Sequence, residues 1–141
     1  MSILTTALIY VQLILGAILR HTGEWAILHI VGAVLVAVHV LLLAARVLRN
    51  HADLPALARS AILLRRLLVF QLILGAGAYF GKFTEAGMFL NPYEVFFATC
   101  HVVIGALMLA TCVTLTLRTY RLLERQQFAR QPQFFSKQAS I

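Results

Sequence analysis

The chain has 141 residues, of which 61% are hydrophobic and 12% are charged, and its formal net charge is +7. A mean hydropathy of +0.87 excludes a small soluble domain, because too little polar surface would remain to solvate the folded chain. Four apolar stretches approach or exceed the length of about 20 residues that a helix needs to cross a bilayer. In chain order they occupy residues 2–19, 25–48, 63–80 and 94–117.

These stretches predict an all-α membrane protein, a bundle of four transmembrane helices. Only helices and closed barrels satisfy every backbone polar group in lipid, and continuous apolar runs lack the period-two alternation of barrel strands. We expect one transmembrane domain over residues 1–125 and a mobile cytoplasmic tail over residues 126–141, which are rich in Gln and Ser. The more polar residues 49–62 predict an amphipathic or irregular linker between the second and third spans.

The basic residues predict the orientation of the chain in the membrane. Ten of the 12 Lys and Arg residues fall on one side, after the second and fourth spans. By the positive-inside rule both termini are cytoplasmic, and we expect the chain to be multi-pass in the inner (plasma) membrane. The arginines flank apolar spans, so the high positive charge indicates topology and contact with membrane lipid, and no nucleic-acid binding is expected.

The sequence repeats itself. The hexapeptide Gln-Leu-Ile-Leu-Gly-Ala at residues 12–17 in the first span recurs at residues 71–76 in the third. His29-Ile-Val-Gly-Ala in the second span has a counterpart that begins at His101 in the fourth, with one residue added. This pattern predicts two helical hairpins of the same design, related by an axis along the membrane normal. Because a cleaved leader would not share a motif with an internal helix, we expect the first span to be retained.

Three histidines lie well inside the spans, where ionisable residues are costly and therefore informative. His29 and His101 match in the repeat, and their depths agree within roughly 5 Å at the helical rise per residue. Two opposed imidazoles are typical of the axial ligands of a heme iron. Gly32 and Gly105, one turn further on, are expected to leave room for the macrocycle. His39 lies about 15 Å deeper and is rotated by about −80°, so we expect it in packing or in an interhelical hydrogen bond.

Other interpretations of these residues stay open. The two matched histidines could instead hydrogen-bond across the bundle, with the glycines allowing the helices to approach closely. His21, next to Arg20 and near Glu24 at the outer end, is either a solvated loop residue or a gate near a cofactor. The two cysteines are 12 residues apart on the fourth span, which excludes a disulfide between them.

The segment from Gln12 to Gly23, followed by His29 early in the next span, resembles the heme A synthase family of cytochrome oxidase assembly proteins. The second hexapeptide, with Cys100-His101 and Gly105, continues that resemblance, which covers residues 7–118 and corresponds to one half of the usual eight-span length. The resemblance implies that His29 and His101 are axial ligands of a heme of b, o or a type. It also implies an oxidoreductase of heme A biosynthesis that converts the methyl group of heme O to the formyl group of heme A.

The sequence departs from the family pattern at its catalytic acid. The family places a glutamate three residues before the second-helix histidine, where this chain has Ala26. Glu24 is the candidate catalytic substitute, acting from the loop with Arg20 assisting at the outer face. One histidine pair offers one heme site where a full synthase needs two, so we expect a homo-oligomer or a partner membrane subunit of a respiratory complex. Gly77-x-x-x-Gly81 provides a small-residue face for such association.

Two further functions are consistent with the same residues. The chain could be a non-catalytic membrane cytochrome subunit that uses the histidine pair for electron transfer or heme carriage. It could also be a heme-free assembly or structural subunit of a respiratory complex, with the histidines joining helices. Conversion of heme O to heme A separates the synthase from the cytochrome, and bound heme separates both from the third function.

Overall fold

Four helices make up the described chain. The computed structural model describes the backbone of residues 1–83 and 92–138 and the side chains of residues 1–82 and 92–122. The helices are α1 (Ser2–Thr22), α2 (Ala26–Asn50), α3 (Pro55–Phe83) and α4 (Pro92–Gln138). Within these two ranges there is no strand, so the prediction of an all-α chain is confirmed.

Each helix is long and apolar enough to cross a membrane. The most apolar window of α2 has a mean hydropathy of 2.6, and that of α3, the least apolar of the four, still reaches 1.7. Large apolar side chains point away from the bundle on every helix; Ile27, for example, is 80% exposed. A helix that is apolar on its outer face as well as its inner one is suited to lipid, so the composition and the fold agree on a multi-pass membrane protein.

A tight turn joins α1 to α2. Gly23 has φ +79°, and its N–H donates to the carbonyl of Leu19 at 3.0 Å, which ends α1 with a left-handed residue. A side chain at this φ would be strained, and glycine avoids that strain. Trp25 also has a positive φ, 66°, immediately before the first residue of α2. The turn brings the two helices together as an antiparallel hairpin.

The predicted linker over residues 49–62 is mostly helix. The connection is only four residues long, from His51 to Leu54, and Pro55 is the first residue of α3, where its missing N–H and fixed φ favour helix initiation. Arg59 is exposed, whereas the buried residues of this part recur every three or four positions: Leu57, Ser60, Ala61, Leu64, Leu67 and Leu68. This first half of α3 is amphipathic, so a search for continuous apolar runs overlooks it.

The last helix extends beyond its apolar part. The α4 backbone is helical as far as Gln138, which includes most of the residues 126–141 that were expected to form a tail. Residues 139–141 lie outside the described residues. The mobility of this segment and the domain boundary at residue 125 stay predictions.

The helices pack in a ring in which each contacts the next along the chain and α4 returns against α1. We call one half of the bundle the packed half, because it contains every buried apolar side chain of the described residues: Ile9, Val36, Val40, Leu43, Ala44, Val47, Leu57, Ala61, Leu64, Leu67, Leu68, Met108, Cys112 and Leu115. The other half, which we call the histidine half, comprises residues 10–35 and the described part of 69–104. None of its described residues is buried. The bundle is thus tightly packed at one end only.

Candidate histidine site

His29 and His101 meet across a diagonal of the bundle. His29 lies on α2 and His101 on α4, and these helices occupy opposite corners because each packs against both α1 and α3. The centres of the two imidazole rings are 6.3 Å apart, and the ring planes cross at 73°. The structure therefore brings together the two histidines that the repeat pairs.

In the first hairpin a glutamine of α1 holds the histidine of α2. The side-chain nitrogen Nε2 of Gln12 donates to the backbone carbonyl of His29 at 2.7 Å and lies 3.0 Å from the ring nitrogen Nδ1. An amide nitrogen only donates, so Nδ1 of His29 is the acceptor in this contact. The same amide nitrogen is 3.5 Å from the other ring nitrogen, Nε2, at the limit of a hydrogen bond.

In the second hairpin a glutamine of α3 holds the histidine of α4 at two points. The side-chain nitrogen of Gln71 lies 3.2 Å from Nε2 of His101, and the backbone carbonyl of Gln71 lies 3.1 Å from Nδ1 of the same ring. A carbonyl only accepts, so Nδ1 must carry the proton and donate to it. Nε2 is then unprotonated and accepts from the amide. These two contacts fix the tautomer of His101.

Glycines of α1 and α3 make space for the two rings. A Cβ atom on Gly16 would lie 3.1 Å from Cε1 of His29, and a Cβ on Gly75 would lie 2.8 Å from Cε1 of His101. The second distance is shorter than real Cβ contacts, so an alanine there would displace the ring. Each glycine follows its glutamine by four residues, one helical turn, and therefore lies on the same helix face.

Gly32 and Gly105, which the sequence predicts beside a macrocycle, lie against the glutamines in this structure. A Cβ on Gly32 would clash with Oε1 of Gln12, and a Cβ on Gly105 would lie 3.2 Å from the side-chain nitrogen of Gln71. Their small size accommodates the amides that hold the histidines.

The sequence reasoning assigned no role to Gln12, Gly16, Gln71 or Gly75. The signal was present, because these four residues are the first and fifth letters of the two identical hexapeptides. On its own the hexapeptide indicates a repeat and not a part of the site. The spacing of four residues on one helix face was the clue that these residues act together.

Three buried polar atoms lack a hydrogen-bond partner within the part of the chain that the structure describes: Oε1 of Gln12, Oε1 of Gln71 and Nδ1 of His39. Two of them belong to the amides that hold the histidine pair. His39 lies ten residues beyond His29 on α2, in the packed half, and is half-buried. The interhelical hydrogen bond expected of His39 is therefore not formed through its Nδ1 in the described residues.

The remaining predicted site residues lie at the surface, at the end of the bundle that contains the α1–α2 turn. Arg20, His21 and Glu24 are all exposed, in the last turn of α1 and the turn that follows it. Lys82 connects this end to α3, because its Nζ donates to the carbonyls of Leu19 at 2.9 Å and Arg20 at 3.3 Å. The cation lies where the C-terminal end of the α1 dipole favours positive charge.

Gly77 and Gly81 contact α4 of the same chain. A Cβ on Gly77 would lie 2.6 Å from Cδ1 of Phe97, and one on Gly81 would lie 3.2 Å from Cβ of Glu94. The small-residue face that was expected to serve oligomerisation is thus covered within the hairpin. Any association with a second chain must use another surface.

Comparison with known proteins gives no relative: no protein-family model, no curated protein and no solved structure matches this chain. The residues around His29 and His101 are therefore the basis for assigning a function.

Proposed function

We propose that this chain is a membrane heme protein in which His29 and His101 bind the two axial positions of one iron. The observation that supports this most directly is the separation of 6.3 Å between the two ring centres. Two imidazoles on a shared metal ion have ring centres about 6 Å apart, because each metal–nitrogen bond is about 2 Å long and the ring centre lies about 1 Å beyond the nitrogen. The observed separation meets this requirement.

The donor set favours a macrocycle over a bare metal ion. A structural metal site in a protein normally has four ligands. Among the described side chains no group of three His, Cys, Asp or Glu residues is close enough to hold a metal. Two opposed imidazoles without further donors fit an iron whose four other ligands belong to a porphyrin.

The surroundings of the pair suit a flat group. A heme would be held between α2 and α4 by the two histidines, and α1 and α3 have only glycines, Gly16 and Gly75, beside the imidazoles. The histidine half contains no buried apolar side chain among its described residues, so binding there does not disrupt the tightly packed core.

Each group of residues has a separate task in this proposal. His29 and His101 bind the iron, the two glutamines orient the imidazoles, and the apolar bundle excludes water from the site. The bound heme would supply one-electron redox chemistry within the membrane. The contact from Nδ1–H of His101 to a backbone carbonyl is the kind that orients metal-binding histidines and makes them more basic.

On the resemblance to the heme A synthase family, we propose oxidation of the heme O methyl group to formyl as the reaction. The chain would act as a homodimer or with a partner membrane subunit, since it offers one histidine pair. Glu24 is the candidate acid, with Arg20 nearby, and its exposed position in the α1–α2 turn restricts it to a role at the outer end.

A non-catalytic cytochrome that transfers electrons or carries heme is the second candidate. It is favoured by the position of the carboxylates. Glu24 is exposed in the turn, and Glu94, in the first turn of α4, lies about 10 Å along the helix axis from His101. Neither lies at the level of the imidazoles. Supplying the purified protein with heme O, a reductant and oxygen, and then analysing the extracted pigment, distinguishes the two functions.

A heme-free assembly or structural subunit is the third candidate. The hydrogen bonds between Gln12 and His29 and between Gln71 and His101 favour it, because they already join the helices of each hairpin. In that case the histidine pair would serve packing alone, and removing one imidazole would lower the free energy of unfolding without loss of any pigment.

The topology proposal places both termini in the cytoplasm and the histidine half toward the outer side of the inner (plasma) membrane. It is supported by the ten basic residues on the side of the termini. The two hairpins are proposed as repeats related by an axis along the membrane normal. Their equal use of a Gln, a Gly and a His supports that relation.

The heme proposal is tested by the heme content of four purified proteins: the wild type and the variants His29→Ala, His101→Ala and His39→Ala. We expect about one heme per chain in the wild type and in His39→Ala, and loss of most of it in the other two. His39 is the matched control, because it is a histidine of the same helix at a different depth. Equal heme content in all three variants would contradict the ligand assignment.

A further inference from the structure

The two glutamine contacts to the histidines differ in which ring nitrogen they reach. In the first hairpin the Gln12 amide is closest to Nδ1 of His29, at 3.0 Å. In the second hairpin the Gln71 amide lies on Nε2 of His101 at 3.2 Å, while the backbone carbonyl of the same residue binds Nδ1–H at 3.1 Å. Gln71 therefore contacts both nitrogens of His101 through two different groups.

The two groups act in opposite directions on a metal. The carbonyl of Gln71 fixes the proton on Nδ1 and leaves the lone pair of Nε2 available as a ligand. The side-chain amide donates a hydrogen bond to that same lone pair. An iron must displace the amide before it can bind Nε2, and the displaced amide then has to find another partner in an apolar site.

We propose that Gln71 is a positioning residue of the site: its backbone carbonyl holds His101 in the tautomer that binds iron, and its side chain covers the binding nitrogen until heme displaces it. This inference depends on the proposed heme function. Gly105 is part of the arrangement, because a Cβ there would lie 3.2 Å from the Gln71 side-chain nitrogen and would press on the amide.

The proposal predicts that removing the amide strengthens heme binding. Gln71→Met keeps the length of the side chain and the backbone carbonyl but removes the donor. Since one hydrogen bond no longer has to be broken, we expect heme to bind about three- to tenfold more tightly than to the wild type. If the Gln71 side chain only supported the local structure, its loss would weaken heme binding.

The measurement is a titration of heme-free protein in detergent with hemin, followed by the absorbance of the bound heme. Ile73→Met is the matched control, since it makes the same new residue two positions further along α3, where Ile73 is 59% exposed. We expect its affinity to equal that of the wild type. If Gln71→Met does not fold, Gln71→Asn is the second variant, because its amide is one methylene shorter and withdraws from Nε2. Unchanged or weaker heme binding in the folded variant would overturn the proposal.

A second readout separates this inference from the heme proposal. Nitrogen NMR of the heme-free protein labelled at histidine should show His101 protonated at Nδ1, and Gln71→Met should shift the Nε2 resonance without changing the tautomer. If the wild type binds no heme, the proposed function fails and the competition with iron fails with it. The NMR spectra then decide on the positioning role alone. An Nε2–H tautomer of His101, or identical spectra for the two proteins, would overturn that role.

Discussion

At the scale of single residues, the site depends on polar side chains that lipid would penalise if they stood alone. An imidazole or an amide in an apolar medium loses its hydrogen bonds to water, and each unpaired group is costly. Here His29 and His101 each have a glutamine of the neighbouring helix as a partner. The histidines are therefore held at the centre of the bundle before any ligand binds.

The first prediction concerns Gly75, the glycine beside the imidazole ring of His101. Gly75→Val should displace the imidazole of His101, because a Cβ would lie only 2.8 Å from its Cε1. We expect heme content to fall about tenfold and the free energy of unfolding to decrease by about 1–3 kcal/mol, the usual range for overpacking. Heme analysis and an unfolding titration in mixed detergent measure the two effects.

Ala76→Val is the control for that variant. Ala76 is the next residue of α3 and is exposed to the surroundings of the bundle, so its added methyl groups meet lipid and not the ring. We expect wild-type heme content and stability. Equal effects of the two substitutions would contradict the close packing of Gly75 against His101.

At the scale of helices, the sequence predicted the apolar spans well and their ends poorly. A continuous run of about 20 apolar residues is a strong signal, and all four predicted spans lie within helices of the structure apart from Trp25. The first turns of α3, before residue 63, were missed because Pro55 and Arg59 interrupt the apolar run. Arg59 lies on the exposed face of a helix whose opposite face is buried, and the periodicity of the apolar residues would have indicated this helix.

The repeat in the sequence predicted the histidine pair but not the side chains that contact it. The matched positions of His29 and His101 in the repeated sequence predicted their meeting, since two hairpins of the same design are expected to place equivalent residues at similar depths. The contacts to Gln12 and Gln71 were not predicted, because a side chain's partner on a neighbouring helix depends on helix rotation. The rotation of each helix about its axis cannot be predicted from one sequence accurately enough to say which side chains touch.

The second prediction concerns Gly77 and the packing of α3 against α4. Gly77→Val would place a side chain 2.6 Å or less from the Phe97 ring. We expect the hairpin to be destabilised by about 1–3 kcal/mol, with an unchanged oligomeric state. Detergent unfolding measures the first quantity and light scattering of the protein–detergent complex measures the second. Leu72→Val, at a residue that is 49% exposed, is the control. Loss of a dimer without loss of stability would mean that this glycine faces a second chain.

At the scale of the whole molecule, the buried apolar core and the histidine pair lie at opposite ends of the bundle. The packed half contains the buried apolar core, and the histidine half contains the histidine pair with Gln12, Gly16, Gln71 and Gly75. Tight packing at one end fixes the rotation of all four helices, which keeps the imidazoles opposed at the other end. The less tightly packed end can then adjust around a ligand with little cost to the core.

This division makes the third prediction. Leu64→Ala should lower the free energy of unfolding by about 1–3 kcal/mol, because Leu64 is fully buried and its loss leaves a cavity among packed helices. Leu63→Ala should have little effect on the free energy of unfolding, since Leu63, the residue before Leu64, is 48% exposed. Unfolding titrations of the two variants give the comparison. A larger loss in Leu63→Ala would contradict the assigned inner and outer faces of α3.

The fourth prediction concerns the orientation in the membrane. The variant Glu24→Cys should react with a membrane-impermeant maleimide in sealed cells, because the proposed topology places the α1–α2 turn outside. A cysteine at Asp53, in the α2–α3 connection, should react only after the membrane is opened. The wild type controls for its own cysteines, of which Cys112 is buried. The reverse labelling pattern would invert the proposed topology.

The measurement that tests the central claim most directly is a reduced-minus-oxidised absorption spectrum of the detergent-purified protein, expressed with an adequate supply of heme. Our account predicts the spectrum of a low-spin heme with two imidazole ligands, present at about one heme per chain. It also predicts that the His29→Ala and His101→Ala variants lose this spectrum and that His39→Ala keeps it. A wild-type protein without heme, or a spectrum that survives the loss of either imidazole, would contradict the claim that the pair binds iron.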